Sequence, residues 1–178
     1  IAMAVANGYV DANISAGKLS SAAVNSGAAE ITAVQAYSVL AADDALSILR
    51  FFKGIPSDAI ITGIWILNTA ITGATGALIG LYNVLDFDGV GAVIDADCFH
   101  TGFDLSSANA VASGWANALI LPTIPNRETQ LWEIAAQTQA PGAAGPKAPA
   151  YDIAIYLANK TASATGDIAM KLSYIRGV

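Results

Sequence analysis

Alternation of apolar and polar side chains runs through most of the chain, and a period of two marks strands whose two faces meet different surroundings. The clearest cases are residues 151–158 and 167–176, where Tyr151, Ile153, Ile155 and Leu157 share one face and Ile168, Met170, Leu172 and Tyr174 the matching one. Residues 159–166 then read as the turn of a terminal hairpin. Residues 30–40 alternate Ile31, Ala33, Gln35, Tyr37 and Val39 with Thr32, Val34, Ala36, Ser38 and Leu40, and Asp43 and Asp44 close the strand. Residues 45–53 place Leu46, Ile48, Arg50 and Phe52 on one face, and residues 54–58, with Gly54 and Pro56, supply turn chemistry. Strands over 60–67 and 77–84 follow, with a turn over 69–76, and the second is expected to pair with the first.

Helical spacing is rare. Leu131, Trp132 and Ala135 fall together within residues 128–136, with Glu128 near the start, which predicts a short helix. Residues 86–97 read as an acidic loop, 106–112 as a candidate helical turn, Pro122 and Pro125 as the bounds of a crossing, and 141–149 as an irregular loop too short for a domain linker. Residues 1–29 are small and polar, broken by Gly8, Gly17 and Gly27, and resemble an extended arm. The expectation is an all-β chain: an antiparallel β-sandwich of jelly-roll type with short helical inserts, one domain over residues 30–178, and an N-terminal arm over 1–29.

Composition narrows the setting. Hydrophobic types make up 54% of the 178 residues, but 37 are alanine, so the core is less greasy than that figure suggests and much of the surface must be Ala, Ser, Thr and Gly. Such a surface suits a subunit packed into an assembly. With 8 basic against 14 acidic residues the net charge is −6 and no basic run exists, which argues against direct nucleic-acid binding. Residues 59–85 carry no charge and are long enough to span a bilayer, but Gly63, Gly73, Gly76, Gly80 and Asn68 interrupt them and the β-branched run favours two strands. No membrane partner is expected. The start of the chain lacks the basic and continuously apolar segments of a signal peptide.

The residues that could carry chemistry form weak constellations. Cys98 and His100 are the only residues of their types; two apart, they would share a strand face, but no nucleophile motif surrounds them, and a half-buried Cys with a surface or capped His in a loop is the simpler reading. Asp86, Asp88, Asp95 and Asp97 form two D-x-D pairs of the kind Ca²⁺ favours, yet the further ligands of an EF-hand are missing, and a solvated acidic loop explains them as well. Gly89 and Gly91 lack the rest of a phosphate loop, so no cofactor is expected. Trp65 and Trp132 read as core. Trp115, between Gly114 and Asn117, is the one candidate exposed aromatic, and with the apolar side chains of the arm, Tyr9, Val10, Ile14 and Leu19, it makes the candidate interface.

The ordered succession Leu46-Ser-Ile-Leu-Arg-Phe, Gly54-Ile-Pro-Ser-Asp-Ala-Ile-Ile-Thr-Gly, Gly80-Leu-Tyr, Asp95-Ala-Asp-Cys-Phe, Asp104-Leu-Ser-Ser-Ala, Leu131-Trp-Glu and Tyr151-Asp-Ile-Ala resembles the head decoration or cement proteins of tailed bacteriophages, over roughly residues 40–178. That resemblance carries no catalytic motif. It implies a non-enzymatic virion protein on the outer surface of a capsid, with the major capsid protein and copies of itself as partners; family analogy suggests trimers. A carbohydrate-binding sandwich, or a tail or fibre component, is the alternative.

Overall fold

The computed structural model describes residues 7–9, 30–85, 90–109, 114–119, 129–138 and 148–176. Among these residues, nine strands and a helix follow one another as β1 (Asn7–Tyr9), β2 (Ile31–Val39), β3 (Ile48–Pro56), β4 (Ala59–Asn68), β5 (Ala77–Asn83), β6 (Val93–Phe103), β7 (Ala116–Asn117), α1 (Leu131–Thr138), β8 (Ala150–Tyr156) and β9 (Gly166–Arg176). They form two sheets, ordered β1-β3-β8-β5-β6 and β2-β9-β4-β7. The antiparallel pairs β2/β9, β3/β8, β4/β7 and β5/β6 are nested one inside the next along the chain, as when a long ribbon is rolled up. This is the jelly roll that the spacing of short strands predicted.

The alternating positions meet between the sheets. Leu49, Ile155 and Ile79 lie side by side across β3, β8 and β5 and face the core, and Ile64, Ile66, Ile168, Met170 and Leu172 supply the other wall. Each buried Ile or Leu contributes about 1.5–3 kcal/mol by leaving water, so this double layer carries most of the stability.

Strand positions match the sequence reading closely, but two expected pairings do not. β8 and β9 do not form a hairpin: β8 lies between β3 and β5 in one sheet, and β9 between β2 and β4 in the other. Likewise β5 does not pair with β4. Alternation tells a strand which face to bury, not which neighbour to take, and in a rolled ribbon consecutive strands cross from sheet to sheet. β3 also runs on through Gly54 and Pro56, with the turn at Ser57 and Asp58. Residues 106–109 show no helix; Asp104 caps a bend there by accepting from the Ser106 amide at 2.8 Å. Within the expected arm, residues 7–9 add a parallel strand to β3.

Three interior polar networks hold this frame. Arg50 and Asp152 pair at 2.9 Å with neither side chain exposed. Arg50 also donates to the carbonyls of Asn83 and Gly91 and lies over the Tyr82 ring, while the second Asp152 oxygen accepts from the Gly54 amide at 2.9 Å. The Asn68 side-chain amide donates to the carbonyls of Thr69, Leu105 and Ser107, fastening residues 105–107 to the end of β4. Lys160, in the β8–β9 connection, is buried and donates to the Asp43 carbonyl at 2.6 Å. The Asp43 carboxylate takes the Tyr37 hydroxyl at 3.0 Å, and burial together with that carboxylate pushes the Tyr37 pKa up to about 12.

Candidate functional site

The outer face of the β2-β9-β4-β7 sheet is built from the positions that alternation turns away from the core. One row crosses all four strands: Val34 on β2, Lys171 on β9, Trp65 on β4 and Asn117 on β7 stand opposite one another in register. On one side lie Thr32, Ser173 and Gly63; on the other, Ala36, Ala169 and Leu67. The Lys171 ammonium lies 4.2 Å from the centre of the Trp65 ring and 5.4 Å from that of Trp115. A cation held between two indoles stiffens all three side chains, each contact being worth about 0.5–1 kcal/mol where solvent reaches it.

Trp65 therefore does not belong to the core, as its place in an apolar strand suggested; it is half-buried on the outer face. The cause is a bulge between Ile61 and Gly63. Before it Ala59 and Ile61 point inward, after it Ile64, Ile66 and Asn68 do, so the extra residue flips the phase and carries Trp65 outward. Gly63 is required beneath it, because a Cβ there would come 2.0 Å from the indole. Trp132, on α1, is half-buried against the core, as expected.

The polar groups around this face are already paired. Thr32 and Ser173 share a hydroxyl hydrogen bond of 2.8 Å, the Ser38 hydroxyl donates to Asp167 at 2.6 Å, and the Thr62 hydroxyl donates to Glu30 at 2.6 Å. Groups that keep their partners when water leaves cost less to cover than unpaired ones. With Val34 55% exposed at its edge, the face combines aromatic anchors, small side chains and a satisfied polar rim. This is the anatomy of a contact surface.

The expected acidic loop is in part a strand. Asp95 and Asp97 lie on β6, the Asp97 amide donates to the Asp95 carboxylate at 3.2 Å, and burial, together with the Asp97 side-chain carboxyl, raises the Asp95 pKa against the lowering effect of that amide. Asp86 and Asp88 lie outside the described residues. Among the described residues no group of three or more His, Cys, Asp or Glu could hold a metal ion. β6 bulges as it passes β5, since Leu81 faces Asp95 and Ile79 faces His100. The bulge lays the backbone of Asp95 and Ala96 over Gly80, where a Cβ would approach the Asp95 carbonyl oxygen to 2.1 Å.

Cys98 and His100 both lie in strand β6 and both are buried, whereas the simpler reading put them in a loop with the His at the surface or capped. No hydrogen bond joins them. His100 packs edge-on against Phe103 at 5.3 Å between ring centres, its Nδ1 has no partner among the described residues, and burial lowers its pKa. Burial pushes the Cys98 thiol up, away from the reactive thiolate.

Of the candidate interface residues, Trp115 stands in the outer-face cluster and Tyr9 ends β1; Val10, Ile14 and Leu19 lie outside the described residues. The contributions of Lys171 and Val34 were missed in the sequence. The available signal was a lysine and an exposed valine at matching places in two alternating strands.

No protein-family model matches the chain, and no curated protein sequence matches it. Two solved structures share its fold. A chain of the capsid of Ralstonia phage GP4 superposes with a TM-score of 0.58 at 14% identity, covering 86% of this chain and 88% of that one. A chain of the cyanophage Pam1 capsid asymmetric unit superposes with a TM-score of 0.52 at 11% identity, covering 91% and 95%.

Proposed function

We propose that this chain is a virion structural protein without catalytic activity, a decoration or cement subunit that binds the outer surface of a phage head and strengthens contacts between coat subunits. The observation that carries this reading is the shared fold, which extends over nearly the full length of both phage-capsid chains. The net charge of −6 supports an outer location, since packaged DNA would repel it inside. The Trp65–Lys171–Trp115 face is the surface assigned to the coat. The segment 1–29 is assigned as an arm that binds a neighbouring subunit by strand addition; its residues 7–9 pair with β3 of their own chain, and the rest of it lies outside the described residues. Copies repeated around a closed lattice attach firmly even if each contact is weak.

The test is reconstitution on heads lacking the chain. Complete particles should resist heating and dilution better than bare ones, and labelled chain should decorate the exterior. Trp65→Ala together with Trp115→Ala should cut binding by at least about tenfold, the loss of roughly 1.4 kcal/mol or more that one interface anchor contributes. Deleting residues 1–29 should also weaken it. Bare heads as robust as complete ones, or labelled chain on the tail or in the lumen, would overturn the proposal. A carbohydrate-binding reading is favoured by one observation, two indoles on one sheet face; it requires a glycan to displace the Lys171 ammonium from between them, and a glycan array decides it.

A further inference from the structure

Strand β2 forms one edge of its sheet, and among the described residues no strand lies along its outer side. It is nine residues long, and residues 31–42 contain no charged side chain. A long edge without charge, proline or bulge is a template for another strand, and proteins that remain monomeric usually guard such edges. The other edges are poorer templates: β1 has three residues, β7 has two, and β6 carries Asp95 and Asp97. For a chain of net charge −6, β2 is the edge that can meet a copy of itself without setting like charges opposite each other.

Its sequence is also complementary to itself. In an antiparallel two-fold pairing centred on Gln35, Thr32 faces Ser38 of the second copy and Val34 faces Ala36 on the outer side, while Ile31 faces Val39 and Ala33 faces Tyr37 on the core side. Each of these contacts occurs twice by symmetry. Ile31 and Tyr37 are only half-buried in the single chain and would be covered. At the centre the Gln35 side chain is buried with its Oε1 lacking a partner among the described residues. Opposed residues of an antiparallel pair hold their Cβ atoms about 4.5–5.5 Å apart, within reach of reciprocal amide hydrogen bonds between the two Gln35 side chains.

We infer that β2 pairs with β2 of a second copy about a two-fold axis at Gln35, joining two four-stranded sheets into one of eight strands. The occupant of the edge is this chain itself, whether or not the chain belongs to a capsid. A single-strand junction covers less than the ~1,600 Å² of a standard interface, so the dimer is weak in solution and reinforced wherever copies are held side by side. It yields a dimer, not the trimer that family analogy suggests.

The experiment is light scattering on the full chain up to about 100 µM, well above the micromolar Kd expected of so small a junction. The wild type should run as a dimer that dissociates on dilution. Val34→Glu combined with Ala36→Glu places four carboxylates at the junction while keeping both side chains solvent-facing in the monomer. That variant should be monomeric throughout, with an unchanged circular dichroism spectrum. Thr32→Cys combined with Ser38→Cys should cross-link into a covalent dimer on mild oxidation. A wild type that is monomeric at every concentration, a trimer, a glutamate variant that still dimerises, or cysteines that fail to cross-link would each overturn the inference. Slow amide exchange along β2 in a monomeric wild type would show the edge closed by its own chain, and would overturn it as well.

Discussion

Arg50 and Asp152, 102 residues apart in the chain, form an ion pair of 2.9 Å in which neither side chain is exposed. Removing two charges from water is costly, and their attraction offsets that cost only where the remaining donors and acceptors are also matched. Here they are matched: the guanidinium reaches two backbone carbonyls besides the carboxylate, and the carboxylate takes the Gly54 amide on its other oxygen. The pair ties β3 and β8 to the end of β5 at Asn83 and to Gly91 ahead of β6.

Breaking this pair from one side should be severe. Asp152→Ala leaves a buried, uncompensated guanidinium and is expected to cost about 3–5 kcal/mol, read as a lower urea midpoint at unchanged slope. Arg50→Met combined with Asp152→Leu removes both charges and should be clearly more stable than Asp152→Ala alone. Equal losses in the two variants would show that packing, and not the uncompensated charge, sets the cost.

Gly63→Ala tests the outer-face cluster. The added methyl group occupies the space of the Trp65 indole and must push it off Lys171, with an overpacking cost of about 1–3 kcal/mol. Tryptophan emission should shift to longer wavelength as the ring gains water, and binding to bare heads should weaken. An unchanged emission spectrum would mean the indole does not rest on Gly63.

His100 makes stability sensitive to acid. Its folded pKa lies below its unfolded value near 6.5, so the unfolded state takes up the proton first. Stability is therefore unaffected well above pH 6.5 and falls as pH drops through that value toward the lower folded pKa. His100→Leu should flatten this part of the curve measured by chemical denaturation from pH 7.5 to 5. Asp95 acts in the opposite sense, its raised folded pKa favouring the folded state as pH falls toward its ordinary range. The comparison of wild type with His100→Leu isolates the histidine.

Chelation should matter little. Asp95 and Asp97 are held on a strand and bonded to each other, a poor start for the oxygen cage that Ca²⁺ takes. The melting temperature should stay within about 1 °C on adding a chelator, because a ligand that is not bound contributes no stabilisation. A sharp drop, restored by Ca²⁺, would make these residues ligands.

Strand positions were legible because the sandwich buries one face of most strands, and Tyr151, Ile153 and Ile155, or Ile168, Met170 and Leu172, write that face into the sequence. Strand neighbours were not. The turn residues after β4 and β8 look the same whether the chain doubles back in one sheet or crosses to the other, and positive φ at Asn159 and Ser163 marks a turn without saying where it leads. The outer-face site was half legible: Trp115 announced itself among small polar residues, whereas Trp65 was hidden by a bulge that reverses the in-and-out sense of its strand. Arg50 offered a readable signal, a charge in line with Leu46, Ile48 and Phe52, which calls for a buried partner elsewhere.

The order of strands in space bears on the time at which this protein can fold. β8 lies between β3 and β5, and β9 between β2 and β4, so both sheets are centred on the two strands that a ribosome makes last among those described. A nascent chain that has not reached residue 150 holds β2, β3, β4 and β5 with no central strand to join them. Until β8 and β9 emerge and insert, β2 has no partner strand, and β3, β4 and β5 hold only β1, β7 and β6 and wait with one side open. A stop short of β9 therefore leaves no smaller domain behind, and crowded synthesis of many copies runs the risk that waiting edges find one another before the last strands arrive.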